Sequence, residues 1–303
     1  MNILFITKNF YPAQSGGPAN SIYWLAKSLV HESTKISVVS TDNDIEINSI
    51  IRNKAIKFEG IETTYTSNFS NKYPINLIFK SIRPLWKSDI IHLNSVFFSG
   101  SLILFILSVI LKKKIVLSVR GELDKFALQQ GHPILKKLIL SVYKTFDNKT
   151  HFHVTSNSEK NNVKKVFKSP LSVTLLPNLI DDHISRSLNK ENHLLFMGRI
   201  DPIKCIDKLI IALSKSTIFP NSSYTLTIAG KGDDDNYVNY IADLIVKCGL
   251  SNKIYFPGKI ILGDEKRKLY EKSKFLFLVS ETENFGNVII EGMCKGVVPI
   301  ASL

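Results

Sequence analysis

Two glutamates near the carboxyl end of the chain stand among apolar residues, at a spacing suited to binding a ligand. The segment reads FLFLVSETENFGNVIIEGMCK, and Glu283 and Glu291 are eight residues apart in it. This pattern predicts a buried strand, a loop and then a helix that begins near Gly286. Glu291 then lies one turn after Asn287 on the same helix face. A carboxylate there can accept hydrogen bonds from two hydroxyls, and the first N–H groups of the helix suit a phosphate.

Two cations follow the first strand of the second half of the chain, in the segment GRIDPIK. Arg199 stands at the predicted strand end and Lys204 at the next helix start, where both side chains can reach a diphosphate. An ordinary solvated loop with two surface charges is the alternative. Gly230 follows another strand, in IAGKGDDDN, and the three aspartates after it are typical of a polar turn before a helix. These segments predict an anion-binding edge and no metal site.

A further strand end, near the amino terminus, carries the segment TKNFYPAQSGGPAN. Gly16 and Gly17 permit a tight turn, and Pro18 suits the first turn of a helix whose N–H groups would meet an anion. A plain strand-to-helix turn explains the segment equally well. The glycines do not follow the G-x-G-x-x-G spacing, so a dinucleotide-dependent dehydrogenase has little support.

The elements that must position these residues are short apolar strands that alternate with helices along the whole chain. We predict strands at 2–7, 35–40, 89–94, 114–119, 151–156, 172–177, 193–198, 224–230, 253–258, 274–280 and 297–302. We predict helices at 18–31, 98–111, 133–147, 158–168, 205–216, 236–248, 265–273 and 286–295. Such alternation is typical of parallel sheets that are covered by helices on both faces. The predicted fold class is therefore α/β, with ligands at the carboxyl ends of the strands.

A polar segment without a strong period, residues 178–192, is typical of a connector between domains. A chain of 303 residues also suits two domains of roughly 150 residues better than one core. We therefore predict two doubly wound, Rossmann-like domains, over 1–184 and 185–303, that face each other across a cleft.

The net charge of +13 is concentrated in the first half of the chain. Residues 1–180 contain 23 Lys and Arg against 11 Asp and Glu, whereas residues 181–303 contain 16 against 15. Such asymmetry indicates a polyanionic partner, namely nucleic acid, an anionic membrane face or a phosphorylated substrate. An AT-rich genome with many lysine codons is the alternative. Nucleic acid is the weakest of these interpretations, because no basic-aromatic binding motif is present.

The remaining composition favours a reduced, cytoplasmic protein. The three cysteines lie far apart, at positions 205, 248 and 294, without a metal-ligand spacing. The opening MNILFITKNFYP is broken by Lys8 and Pro12, so it predicts a strand rather than a signal peptide. The longest apolar run, 102–111, is about half of what a bilayer span requires.

One basic and aromatic stretch, KYPINLIFKSIRPLWK at 72–87, indicates peripheral contact with an anionic membrane on the cytoplasmic side. The candidate residues are Lys72, Lys80, Arg83 and Lys87, with Phe79 and Trp86. An ordinary amphipathic surface helix is the alternative interpretation.

The combination of GRIDPIK, AGKGD and SETENFGNVIIEGMCKGVVPIAS, with SGGPAN near the start and LLPNLID at the connector, resembles the family 4 glycosyltransferases of the GT-B fold. The resemblance extends over the whole chain, and the two glutamates around Phe-Gly are its most specific part. It implies a retaining enzyme that moves a sugar from a nucleotide-diphosphate sugar, expected to be UDP-linked, to a hydroxyl of a glycan or lipid-linked acceptor. Cell-surface polysaccharide or lipopolysaccharide synthesis is the implied setting, and no cofactor is implied.

The same resemblance implies roles for the candidate side chains. Glu291 would bind the ribose and Glu283 the hydroxyls of the donor sugar, so they would not be the acid and base of a glycoside hydrolase. Arg199 and Lys204 would neutralise the diphosphate in place of a metal. Residues that would approach the donor through their backbone are Gly17, Phe285, Gly286, Asn287 and Val288, and Gly230 at its strand end is a further candidate for the binding site.

The chain departs from the family pattern at three points. Arg120, in SVRGELD, stands where many members carry a histidine; a place near the diphosphate and a structural role are both open. Cys205 stands where a glycine is usual. The chain also stops at Leu303, before the segments that normally complete the second domain. We therefore expect a truncated second domain of low solubility, and an inactive remnant that at most binds nucleotide is the alternative function.

Overall fold

The structure is a computed structural model that describes residues 1–13, 17–45, 50–70, 72–180, 189–261 and 263–302. These residues form two compact units, Met1–Leu179 and Ile180–Leu303, and each unit has its own sheet. The predicted boundary between 184 and 185 lies outside the described residues. None of the helices among the described residues is long and apolar enough to cross a membrane.

The first unit consists of strands that alternate with helices. Its strands are β1 (Asn2–Thr7), β2 (Lys35–Thr41), β3 (Ala55–Phe58), β4 (Ile61–Thr66), β5 (Ile90–Asn94), β6 (Lys114–Ser118), β7 (Thr150–Val154) and β8 (Ser172–Leu175). Its helices are α1 (Gly17–Ser28), α2 (Ile75–Lys87), α3 (Ser99–Ile110), α4 (Lys125–Gln129), α5 (Pro133–Thr145) and α6 (Asn157–Val166), with a 3₁₀ turn at Asp147–Lys149.

The described strands of this unit form one sheet in the order β3-β4-β2-β1-β5-β6-β7-β8. The central strands are apolar on both faces because a core lies on each side of the sheet. One core packs α2, α3, α5 and α6 on the sheet, and the other packs α1 on the opposite side. The prediction of a doubly wound sheet is confirmed for this unit.

The edge of this sheet differs from the all-parallel prediction. β3 pairs with β4 antiparallel, with Phe58 opposite Ile61, and only two residues connect them. Glu59 and Gly60 both have positive φ, 47° and 84°, as a type I′ hairpin turn requires. Neither strand is predicted from the sequence, because Glu-Gly is a weaker hairpin signal than Asn-Gly and β3 is mostly exposed.

The second unit has the same alternation on a smaller sheet. Its elements are β9 (His193–Met197), α7 (Ile206–Lys215), β10 (Thr225–Ala229), α8 (Asp235–Lys247), β11 (Ile254–Tyr255), α9 (Gly263–Lys272), β12 (Phe275–Leu278), α10 (Asn287–Cys294) and β13 (Val298–Ala301). Two 3₁₀ turns, Pro202–Lys204 and Phe219–Asn221, flank α7. The described strands run parallel in the order β11-β10-β9-β12-β13. The predicted strand at 253–258 is reduced to two residues.

Helices cover both faces of this sheet as well. α7 and α8 pack on one face, around Ile210 and Ile241, and α9 packs on the other through Leu269 and Tyr270. α10 joins the second face, where Gly292 lies so close to Leu276 that an added Cβ would stand 2.9 Å from its Cδ2 atom. This arrangement places the loops after β9, β10 and β12 side by side at the carboxyl edge.

Candidate functional site

Three loops meet at the carboxyl edge of the second sheet, because β9 lies between β10 and β12. The Ile200 N–H donates to the carbonyl of Lys231 at 3.0 Å, which joins the loops after β9 and β10. The Glu281 N–H donates to the carbonyl of Ile203 at 2.8 Å, which joins the loops after β9 and β12. The side chains predicted to bind a ligand in this unit are therefore held on one connected backbone edge.

Lys204 and Glu283 meet at this edge. The Asp201 carboxylate caps the short turn Pro202–Lys204 by accepting the Ile203 N–H at 3.0 Å. This turn presents Lys204, whose Nζ lies 2.5 Å from Oε2 of Glu283. The Ser280 hydroxyl donates to the same carboxylate oxygen at 3.3 Å. The lysine side chain is 15% exposed and the glutamate 32%, so the pair is still accessible to a ligand.

Glu291 is held by two donors from α9. The Tyr270 hydroxyl donates to its Oε2 at 2.9 Å, and Lys266 Nζ lies 2.8 Å from the same oxygen. Burial, and then Glu291 itself, raises the pKa of Tyr270, so the phenol remains a neutral donor. Within the described part of the chain both contacts use Oε2, which leaves Oε1 for a ligand hydroxyl.

The start of α10 lies between these two glutamates. Gly286 forms the N-cap with φ of 70°, a left-handed conformation that glycine adopts without steric cost. Its position is tight, since an added Cβ would stand 3.1 Å from Leu278. Asn287 and Val288 begin the helix as predicted, Phe285 precedes it half-buried, and the first turn has no acidic residue. The backbone N–H groups at this end carry a partial positive charge that favours an anion.

Gly230 has a clear structural reason to be glycine. An added Cβ would stand 1.8 Å from the carbonyl oxygen of Gly198, because the loops after β9 and β10 cross there in contact. Gly232 is similarly close to Val238, at 2.4 Å. The structure therefore shows Gly230 shaping the edge, and its predicted contact with a ligand stays a prediction.

The remaining candidate of this unit, Arg199, is the most exposed. Its side chain is 62% exposed, and Nη1 lies 3.5 Å from Asp201. Cys205, where the family resemblance expects glycine, has φ of 50°. This left-handed conformation explains why glycine would suit the position. Asp234 caps α8 by accepting the Asn236 N–H at 3.0 Å, as expected for a polar turn before a helix.

Arg120 and Gly17 belong to the first unit. Gly17 is the first residue of α1. Arg120 is half-buried with φ of 51°, and desolvation of its guanidinium lowers the pKa of that group to about 10. Its nitrogens donate to Asn178 at 2.9 Å and to Asn94 at 3.0 Å.

A small pocket borders the Arg120 side chain. It is lined by Ser21, Leu25, Arg120, His153, Pro177, Asn178 and Leu179. Nε of Arg120 has no hydrogen-bond partner among the described residues. Arg120 Nη1 also donates to the Ser21 hydroxyl on α1 at 3.3 Å. The arginine therefore joins β5, α1 and the segment that leaves the unit, which gives it a structural role; its predicted place near a diphosphate stays a prediction.

Sequence reasoning missed a chain of buried polar groups beneath this arginine. His92 Nε2 lies 2.7 Å from the Ser118 hydroxyl, which lies 2.8 Å from His153 Nδ1. His153 Nε2 lies 2.9 Å from the Leu176 carbonyl and so carries the proton. Burial lowers the pKa of both histidines, that of His153 to about 4, and Arg120 lowers them further. The two rings are therefore neutral near pH 7.

Sequence reasoning also missed Lys266 and Tyr270, which position Glu291. They stand four residues apart on α9, so the sequence does indicate that both side chains lie on one face of that helix. That this face meets α10 is a tertiary relationship that spacing within α9 does not indicate. Among the described residues, no group of three His, Cys, Asp or Glu side chains is placed to hold a metal ion.

Residues 179–303 match the family of glycosyl transferases, group 1. An uncharacterized glycosyltransferase of Methanocaldococcus jannaschii is 35% identical over 112 residues, which cover 37% of this chain and 27% of that protein. A Campylobacter jejuni enzyme, GalNAc-alpha-(1->4)-GalNAc-alpha-(1->3)-diNAcBac-PP-undecaprenol alpha-1,4-N-acetyl-D-galactosaminyltransferase, is 30% identical over 138 residues, 45% of this chain and 36% of the enzyme. These matches span less than two thirds of each relative.

Solved structures resemble the chain over nearly its whole length. Sucrose-phosphate synthase from Thermosynechococcus elongatus superposes with a TM-score of 0.74 at 18% identity, covering 99% of this chain and 80% of that one. Anabaena HepE in complex with UDP and glucose gives a TM-score of 0.72 at 17% identity, with the same coverage. The predicted α/β fold of the GT-B class, with Rossmann-like units, is confirmed by these likenesses.

Proposed function

We propose that the chain is a glycosyltransferase that moves a sugar from a nucleotide-diphosphate sugar to an acceptor hydroxyl with retention of anomeric configuration. The observation that carries the proposal is the contact of Lys204 with Glu283, 2.5 Å apart on two loops at the edge where α10 begins. Both residues lie in the part of the chain that matches the glycosyltransferase family. A cation, a carboxylate and a helix start together suit the diphosphate and the sugar of one donor.

In this proposal Glu291 binds the ribose. Its Oε2 is fixed by Tyr270 and Lys266, so the carboxylate is oriented before the donor arrives. Preorganisation of this kind lowers the entropic cost of binding. The carboxylate accepts hydrogen bonds from ribose hydroxyls through Oε1.

The diphosphate lies, in the same proposal, against the start of α10. Negative charge grows on the leaving diphosphate as the bond to the sugar breaks, so cations placed beforehand stabilise the transition state. Lys204 is fixed by Glu283 within reach of that charge, and the exposed Arg199 can turn toward it. Glu283 then exchanges part of its contact with Lys204 for hydroxyls of the donor sugar.

The acceptor hydroxyl attacks the sugar from the face that the diphosphate leaves, which accounts for retention. Its proton passes to an oxygen of the leaving phosphate, so the protein supplies orientation and charge rather than a separate base. A carboxylate already paired with a lysine, as Glu283 is, suits a binding role better than that of a general base.

We take UDP as the nucleotide because HepE is described in complex with UDP and with UDP-glucose. We propose a glycan or lipid-linked acceptor, a choice supported by the Campylobacter relative, whose name specifies an undecaprenol-linked substrate. Cell-surface polysaccharide synthesis is the corresponding biological role. The cytoplasm is the proposed compartment, since all three cysteines are free thiols.

The test is release of UDP from a panel of UDP-sugars, with and without glycan acceptors. One donor is expected to release UDP, and Glu283→Gln should slow that release about 100-fold, the scale for loss of one transition-state contact. Glu281→Gln is the matched control, because it makes the same charge change two residues away on an exposed side chain. Release should persist in EDTA, since Arg199 and Lys204 supply the cationic charge.

Failure of every donor to release UDP, with UDP itself still bound, would support the alternative of a nucleotide-binding remnant. Equal effects of the Glu281 and Glu283 substitutions would contradict the assignment of Glu283. Loss of activity in EDTA that Mn²⁺ restores would contradict the assigned role of the two cations.

A further inference from the structure

Three helices of the first unit lie side by side on one face of its sheet. α2 packs on α3, where an added Cβ at Gly100 would stand 3.1 Å from Leu77. α3 packs on α5, where the rings of Phe105 and Tyr143 lie 4.5 Å apart. The inner sides of all three helices enter the same core, which includes Leu104. Their outer sides therefore form one continuous surface, here named the α2–α3–α5 face.

This outer surface is unusually apolar. On α2 the exposed residues Ile75, Phe79, Ile82 and Trp86 follow the spacing of a helical stripe, opposite the buried residues of that helix. The exposed apolar residues of the other two helices are Ile103, Ile106, Ile110, Ile134, Leu135 and Leu138. Phe79 is 67% exposed, Trp86 63% and Ile134 78%. Contiguous apolar surface of this kind marks an interaction site.

The charges on the same helices have one sign. None of the three helices contains an aspartate or a glutamate. Lys80, Arg83 and Lys87 are exposed on α2, and Lys137 and Lys144 are exposed on α5. The helices thus combine apolar stripes with cations and offer no acidic side chain to a partner.

We propose that the α2–α3–α5 face docks on the surface of an anionic lipid bilayer. Apolar side chains, with a tryptophan among them, can enter the boundary between headgroups and acyl chains, while flanking cations meet the lipid phosphates. The sequence stretch 72–87 contributes only the α2 part of this surface. The apolar stripes of α3 and α5 are distant from this stretch in the sequence, and the packing of the three helices on one sheet face brings them beside α2.

Two other occupants fit this face less well. A second copy of the chain would bring two faces of the same sign together, and like charges across an interface cost affinity. Nucleic acid would meet the cations but would leave the aliphatic stripes without apolar partners. The bilayer proposal uses only the first unit, so it stands or fails independently of the proposed glycosyl transfer.

Tryptophan fluorescence tests the docking directly. The chain has two tryptophans, Trp24 and Trp86, so Trp24→Phe leaves a single indole on the face. We expect its emission to shift to shorter wavelength, and to lose access to acrylamide, with vesicles of phosphatidylcholine and phosphatidylglycerol. Vesicles of phosphatidylcholine alone, or anionic vesicles at high salt, should give little change.

Vesicle sedimentation with matched variants identifies the face. The double variant with Phe79→Ser and Trp86→Ser should lower the partition coefficient by about 10-fold or more. The triple variant in which Lys80, Arg83 and Lys87 are changed to Gln should lower it by a similar factor. The apolar control is Ile218→Ser with Val246→Ser, at exposed positions of the second unit. The charge control changes Lys208, Lys215 and Lys247, which are also exposed in the second unit, to Gln. Both controls should bind as the unaltered chain does.

Several results would overturn the proposal. These are no binding to anionic vesicles, equal binding to neutral and anionic vesicles, and face variants that bind no worse than their controls. A concentration-dependent shift of Trp86 emission without vesicles, with dimers in sedimentation velocity, would assign the face to a second copy. Tighter binding to DNA or RNA than to vesicles, lost in the Lys80, Arg83 and Lys87 variant, would assign it to nucleic acid.

Discussion

Lys204 Nζ lies 2.5 Å from Oε2 of Glu283, although the two residues are 79 positions apart in the chain. The contact joins a 3₁₀ turn after β9 to the loop after β12. Because both side chains are still partly exposed, the pair is available to a ligand and is only a modest source of stability. The partly exposed position of this pair suits a role in binding the donor better than a purely structural role.

The first prediction separates these two uses of the pair. Lys204→Met and Glu283→Gln, alone and together, should couple in the free energy of unfolding by about 1 kcal/mol or less. The same changes should each slow transfer by about 100-fold, because charge stabilisation is lost in the transition state. Urea unfolding and UDP release provide the two readouts. Strong coupling in stability with unchanged transfer would make the pair structural.

The second prediction concerns Glu291 and the phenol that orients it. Glu291→Ala should weaken UDP binding by roughly 1.5–3 kcal/mol, the scale for hydrogen bonds to a charged group. Tyr270→Phe should weaken it by about 1 kcal/mol, because the carboxylate stays but one orienting bond is lost. Isothermal titration with UDP measures both. Glu265→Gln, on the same helix as Tyr270 and exposed, is the control, and equal losses at Glu265 and Glu291 would refute the ribose assignment.

A third prediction follows from the contact of Gly230 with Gly198. Gly230→Ala places a Cβ 1.8 Å from a carbonyl oxygen, so the two loops must move apart. We expect a loss of several kcal/mol in the free energy of unfolding, on the scale of severe overpacking. Gly249→Ala is the control, since Gly249 has φ of 67° but open space around it and should lose only about 1 kcal/mol. Similar losses in the free energy of unfolding for the two variants would show that the two loops move apart at little energetic cost.

The fourth prediction is a pH dependence that arises in the first unit. The pKa of His153 is lowered to about 4 by burial and by Arg120, against about 6.5 for an unfolded histidine. Between these values the unfolded chain binds the extra proton, so stability is fully present above pH 6.5 and decreases as the pH falls. Each such histidine contributes a slope of about 1.4 kcal/mol per pH unit.

His153→Gln should therefore reduce the slope of the unfolding free energy between pH 6.5 and 5 by about one bound proton. A slope that is the same in the unaltered chain and in the variant would show that His153 is charged or accessible in the folded state.

The order of elements could be predicted from sequence because buried parallel strands are nearly continuous apolar runs, as LFIT in β1 and LLFM in β9 are. The β3–β4 hairpin was missed because β3 is exposed and its turn is Glu59-Gly60. For the site, the strand and helix boundaries that the sequence predicts indicate where Lys204, Glu283 and Glu291 lie in the fold. The partners of Glu291 could not be predicted, since Lys266 and Tyr270 approach it only when α9 and α10 pack on the same sheet face.

Arg120 illustrates a second limit of sequence reasoning. The family resemblance left two roles open for it, one near a diphosphate and one in the structure, and the sequence around an arginine at a strand end does not indicate how deeply its guanidinium is buried. Burial and the bonds to Asn94 and Asn178 depend on residues 26 and 58 positions away. Spacing within a segment carries no information on such contacts.

The central claim is that the nucleotide diphosphate binds at the edge formed by the loop after β9, the loop after β12 and the start of α10. Hydrogen–deuterium exchange with and without UDP tests it most directly, because bound ligand slows exchange of the amides it covers. We predict slower exchange at 199–205 and 281–291 with UDP, and no change in the hairpin at 55–66. Slower exchange confined to the first unit, or none at saturating UDP, would contradict the claim.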